Sequence, residues 1–153
     1  MSTTPAVAPR LTNVGVTPAT PRKLFVNIPV NDLQRSIDFF EALGFTFNQQ
    51  FTDPTATAML VGEDAYFMLL TREKFASFSK RPMAEPSRET GAMYALGVNS
   101  RAEVDSMVQT ALASGGAPAL DPQDHGFMYG WSFYDPDGHH WEVFWMDPAA
   151  LQG

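Results

Sequence analysis

The residues best suited to chemistry gather near the end of the chain, in Asp135-Pro136-Asp137-Gly138-His139-His140-Trp141-Glu142. The Asp-Pro-Asp-Gly run predicts a tight turn. Strand alternation after it puts His140 and Glu142 on one face, opposite Trp141 and Val143. Glu142 is then either an ordinary carboxylate on a solvated strand or a polar anchor inside a cavity. Buried in apolar surroundings, its pKa would rise, and it could act as a base or bind a cationic group. One of His139 and His140, which follow the turn, suits a solvent-facing or capping role. Far earlier, Asn27 shares a strand face with Phe25, and its amide suits either ligand orientation or local backbone bonding. His140 and Glu142 could also hold a metal together with Asn27, His125 or Asp124, although an Asn amide binds transition metals poorly.

Other chemistries are excluded by residue type. There is no cysteine, which removes disulfides, thiolate metal sites and a Cys nucleophile. No Gly-x-Ser-x-Gly elbow, phosphate-cradling loop or dinucleotide-binding glycine pattern occurs. Asp121-Pro122-Gln123-Asp124-His125 is no charge relay. The segment Asp124-His125-Gly126-Phe127-Met128-Tyr129-Gly130 can serve as a lid or ligand-contacting rim, or simply connect strands. Trp131, Trp141 and Trp145 belong to a core, and some of them can line a small-molecule pocket.

The elements that must position these groups follow from hydrophobic pattern. The chain has 153 residues, 44% of them hydrophobic and 18% charged, enough for one folded domain. Its net charge of −7 repels phosphate backbones and anionic lipid, so neither nucleic acid nor a membrane surface is an expected partner. No apolar run approaches the ~18 residues of a membrane helix. Residues 1–21, punctuated by Pro5, Pro9, Pro18 and Pro21, predict a loose arm without export features, which points to a cytoplasmic protein.

From residue 22 the order β-α-β-β-β occurs twice, in modules 22–71 and 92–147, joined by a linker 72–91 and followed by a tail 148–153. The first module has a strand at Lys23–Val30 and a helix whose stripe is Leu33, Ile37 and Phe40. Asn31-Asp32 offers its N-cap, with Gln34 answering Asn31. Strands at Phe45–Phe51, Thr55–Val61 and Ala65–Thr71 complete it. The second has a strand at Met93–Val98 and a helix opened by a Ser100/Glu103 capping box. Strands at Ala117–Leu120, Met128–Tyr134 and His140–Met146 close it. Val30-Asn31 and Val98-Asn99 occupy the same strand-to-helix junction, 68 residues apart. Neither module can cover its sheet alone, so each must pack on the other or on a second chain.

Two segments carry a family resemblance. Val30-Asn31-Asp32-Leu33-Gln34-Arg35-Ser36-Ile37-Asp38-Phe39-Phe40, with Leu43-Gly44-Phe45, resembles the opening signature of the vicinal-oxygen-chelate superfamily, which holds glyoxalase I, bleomycin-resistance proteins, fosfomycin-resistance enzymes and extradiol dioxygenases. Asp135 to Glu142 resembles its closing signature. The resemblance implies an α+β fold of two β-α-β-β-β modules forming curved mixed sheets around a cavity, commonly in a homodimer. It implies no single reaction. In metal-dependent members four strand positions supply the ligands, and by the resemblance these fall on Phe25, Leu69, Met93 and Glu142. Three of the four cannot bind a hard or borderline divalent ion, so no metal or other cofactor is expected.

Two functions follow. In the first, a cavity holding Phe25, Asn27, Leu69, Met93, His140 and Glu142 binds a small apolar or aromatic molecule without metal, as in bleomycin-resistance-type sequestration, and the net negative charge suits a basic guest. Glu142 is then also the candidate catalytic base. In the second, a lyase or dioxygenase-like enzyme uses a rearranged metal site around His140 and Glu142.

Overall fold

The computed structural model describes residues 5–151. Of the predicted arm and tail, residues 1–4 and 152–153 lie outside the described residues. Residues 5–23 are exposed and form neither helix nor strand. The chain then runs through β1 (Leu24–Val30), α1 (Leu33–Ala42), β2 (Thr46–Asp53), β3 (Ala56–Gly62) and β4 (Ala65–Thr71). These strands form one sheet in the order β1-β4-β3-β2, with β1 parallel to β4 and the other neighbours antiparallel. The connections dictate this. Tight turns can join only antiparallel strands, whereas β1 reaches a parallel neighbour after a long path through α1.

After α2 (Arg72–Ser77) the plan repeats as β5 (Met93–Gly97), α3 (Arg101–Ala113), β6 (Ala117–Pro118), β7 (Gln123–Asp124), β8 (Met128–Tyr134) and β9 (His140–Met146). The second sheet has the order β5-β9-β8-β6, with β5 parallel to β9 and β7 also pairing with β8. The chain is therefore α+β, with two curved mixed sheets. A short 3-10 turn, Pro148–Leu151, follows.

Local differences from the sequence reading have local causes. The N-cap of α1 is Asp32, whose carboxylate accepts the Arg35 N–H at 3.1 Å. Asn31 instead takes a hydrogen bond from Arg72, and Gln34 donates to Asp38. Ser100 caps α3 as its spacing predicts, accepting from the Glu103 N–H at 3.1 Å. Glu103 reaches one residue further back, to the Asn99 N–H. The strand expected over Ala117–Leu120 stops at Pro118, and the Leu120 N–H is taken by the Ser132 hydroxyl at 2.9 Å. α2 lies in a stretch read as having no period.

The two modules share one core. Ile28, Met59, Phe67 and Leu69 from the first sheet pack with Val104, Phe133, Trp141 and Val143 from the second module. Ring contacts cross the boundary: Phe40 to Trp141 at 5.2 Å, Phe67 to Trp141 at 4.7 Å and Phe67 to Tyr94 at 4.9 Å between centroids. The Asp135–Gly138 turn fastens the same boundary. The buried Asp137 carboxylate accepts from the Asn31 N–H, the Arg35 guanidinium and the Ser36 hydroxyl. His139 beside this turn is buried. Its Nε2 donates to the Pro29 carbonyl at 2.7 Å.

Candidate functional site

Alternation along β9 sends Trp141 and Val143 into the core and His140 and Glu142 to the other face. His140 is buried, edge-on to the Tyr134 ring at 5.4 Å. Its Nε2 lies 3.0 Å from Glu142 Oε1. The Glu142 side chain itself is 38% exposed. A neutral imidazole bonded this way keeps its proton on Nε2, so the carboxylate is oriented from behind and keeps acceptor capacity toward solvent.

Glu142 opens into a cleft of about 350 Å³ on the outer face of β8 and β9. Met128, Phe144 and Met146 give it apolar walls, and Asp121 and His125 stand with Glu142 among its polar groups. An apolar hollow of this size with a few converging polar groups has the make-up of a small-molecule site.

The rim of this cleft is pinned rather than loose. Arg101, at the start of α3, bonds Asp124 Oδ2 at 2.6 Å and the Gly126 carbonyl at 2.8 Å. Its guanidinium also lies over the Tyr129 and Trp145 rings. The hydrogen bond from Arg101 holds the Asp124 carboxyl below its ordinary pKa. Within the rim, the His125 N–H bonds the Met128 carbonyl and the Gly126 N–H bonds Asp124. Tyr129 adds a tie to α3 through its hydroxyl, which donates to Asp105 at 2.5 Å, and that bond pushes its pKa up to about 12. The sequence reading missed Arg101. Its one signal was a cation in the first turn of a helix, where the helix dipole disfavours positive charge.

Neither of the two clefts holds all six residues expected around one cavity. Asn27 and His140 line a second, smaller cleft between the modules, while Phe25 and Met93 line neither. Phe25 stacks on Tyr66 at 4.7 Å. Leu69 requires a correction: it is 0% exposed and belongs to the core on the opposite side of its strand. The internal repeat explains why. Pro29 pairs with Leu70 and its counterpart Gly97 pairs with Phe144, so Asn27 opposite Met68 corresponds to Ala95 opposite Glu142. Met68 is thus the counterpart of Glu142.

With Met68 in place of Leu69, the four positions hold a phenyl ring, two thioethers and one carboxylate. That donor set does not fit the divalent ion used by metal-dependent relatives, since thioethers suit only soft ions. Among the described residues no three His, Asp or Glu side chains are grouped to hold an ion.

Comparison with known proteins agrees with this architecture. A hypothetical protein, SA1046, from S. aureus has a solved structure with TM-score 0.70 and 30% identity, over 82% of this chain and 95% of its own. A glyoxalase-related enzyme from Fulvimarina pelagi matches at TM-score 0.71 and 19% identity, over 82% of this chain and 88% of its own. A lactoylglutathione lyase from Agrobacterium tumefaciens shares the fold at TM-score 0.62 and 15% identity, over 89% and 98% of the two chains. No curated protein matches the chain significantly. The model of one family spans residues 24–143, from the first strand through the carboxylate of β9, and the chain belongs to that family, the glyoxalase/bleomycin resistance protein/dioxygenase superfamily.

Proposed function

We propose that this chain binds a small apolar or aromatic molecule carrying a positive charge, in the cleft beside Glu142 and without a divalent metal. The observation that carries the reading is the Glu142 carboxylate, held by buried His140 and opening between Phe144 and methionine walls. Aromatic faces and a fixed carboxylate both favour a cation. The net charge of −7 adds a long-range attraction of the same sign. Glu142 is also the residue of this cleft suited to act as a base, should the guest react.

A homodimer belongs to the same proposal. Leu24, Phe25, Phe51, Leu60 and Met93 are exposed on the strands of the two sheets. A second copy covering these side chains would bury at least ~1,000 Å² in total. Dimer mass by light scattering at micromolar protein supports this, and a monomer mass counts against it.

The test is a thermal-shift screen of aromatic amines against the full chain, followed by titration of any hit. Glu142→Gln should keep the fold and weaken the hit at least ~10-fold. Unchanged affinity removes Glu142 from the site. Stoichiometric metal that survives dialysis against a chelator, and is lost in Glu142→Ala, favours instead a metal-dependent lyase or dioxygenase-like enzyme built around His140 and Glu142.

A further inference from the structure

The smaller cleft lies where the modules meet, beneath the connection that follows β4, and measures about 150 Å³. Phe75 of α2, Met83 and Ala92 of the connection and Tyr94 of β5 wall it with apolar surface. Beside Glu89, Thr90 and His139 it is lined by two strand residues with polar side chains, Asn27 from the first module and His140 from the second. Neither is used up by the fold. Asn27 makes one long contact, from Nδ2 to the Phe25 carbonyl at 3.5 Å. His140 gives Nε2 to Glu142, and its Nδ1 meets no partner among the described residues. No buried side-chain nitrogen or oxygen among those residues goes unpartnered. Nδ1 is therefore not sealed off, and His140 lines this cleft. With the proton on Nε2, Nδ1 of the neutral ring is an acceptor.

We propose that this inter-module cleft is a second small-molecule site, separate from the cleft of Glu142, and that it takes a single-ring aromatic carrying an O–H or N–H donor. An apolar cavity of roughly 150 Å³ holds a benzene ring. The donor pairs with His140 Nδ1, and the Asn27 amide offers a further acceptor and donor. A bare hydrocarbon of the same size would strip water from Nδ1 and leave it unpaired, so the site discriminates against it.

The probe is phenol, with fluorobenzene as a ring of nearly the same size that lacks the donor. Full-length protein labelled with ¹⁵N-histidine is titrated at pH 8, and the His140 ring nitrogens are followed by NMR. A saturable shift of Nδ1 is expected, with a dissociation constant on the order of millimolar for so small a ligand. Phenol should bind at least about 3-fold more tightly than fluorobenzene, as one net hydrogen bond provides. Ala92→Phe fills the cleft from its rim while keeping His140 in the chain and should abolish saturable binding. His140→Phe should erase the preference for phenol. Glu142→Gln should leave phenol affinity within about 2-fold, since an amide oxygen can also accept from Nε2. Shifts that never saturate, equal phenol affinity in Ala92→Phe, or loss of binding in Glu142→Gln would each overturn the proposal. The last result would place phenol in the Glu142 cleft and leave that reading standing.

Discussion

Asp137 accepts the backbone N–H of Asn31 at 2.7 Å across 106 residues of sequence. The turn of the second module thereby holds the first turn of α1 in the first. The same carboxylate takes hydrogen bonds from the Ser36 hydroxyl at 3.2 Å and the Arg35 guanidinium at 3.3 Å. Asp137→Ala leaves these donors facing a buried gap, a change that costs about 2–4 kcal/mol. Urea unfolding of the variant should show that loss, and Asp137→Asn, which keeps one acceptor oxygen, should lose less. A loss below about 1 kcal/mol would mean that the turn does not fasten the modules.

Gly138 makes the turn fit beneath the connection between modules. Its φ is +99°, and a Cβ there would stand 2.6 Å from the Pro86 carbonyl oxygen and 2.8 Å from Ser87 Cα. Both are backbone atoms, so no side-chain rotation relieves the clash. Gly138→Ala should therefore destabilise the protein by at least about 2 kcal/mol. Gly91, which has open space around its added Cβ, is the control. Gly91→Ala should change stability by no more than about 0.5 kcal/mol. Equal effects at both positions would contradict the packing argument.

Much of the architecture is legible in the sequence because its signals are local. α3 begins where Ser100 and Glu103 place it, and β4, β8 and β9 have the limits that alternation and turn residues predict. The face of β4 was not legible. Phe67-Met68-Leu69-Leu70 is apolar throughout, so alternation is silent, and an error of one residue exchanges core for cavity. That is how Leu69 stood in for Met68. α2 was missed because six residues make fewer than two turns, too few to show a period. The pairing of His140 with Glu142 was readable from their spacing of two. Their division between separate clefts depends on the connection after β4, which carries no periodic signal.

Tyr129 gives the stability an alkaline limit. Its hydroxyl donates to Asp105, and the folded state holds its pKa at about 12, above the ordinary value of 10.0. Between those values the folded protein binds a proton that the unfolded chain releases. The stabilisation is therefore complete below pH 10 and falls as pH rises through 12. Spectrophotometric titration of Tyr129→Phe should lack the highest-pH tyrosine step of the parent. The variant's stability should also fall less steeply over this range. An unchanged titration would show that the bond to Asp105 does not persist in solution.

Arg101 ties the rim of the Glu142 cleft to α3, and its removal should separate rim order from global stability. Its ion pair with Asp124 is largely exposed, with side chains 40% and 55% accessible, and exposed pairs contribute little to folding. Arg101→Ala should accordingly leave the melting temperature within a few degrees of the parent. The segment around Gly126 is different, because Arg101 supplies two of its few ties to the rest of the chain. Hydrogen exchange at the His125 and Gly126 amides should become faster, at least ~10-fold, while the Val104 and Val143 amides of the core keep their protection. Arg101→Lys should restore only part of that protection, since an ammonium lacks the planar fork that reaches a carboxylate and a carbonyl together and rests on two rings. Because His125 lines the cleft, any ligand found there should also bind Arg101→Ala more weakly than the parent. Unaltered exchange at both rim amides would show that the loop orders itself without Arg101.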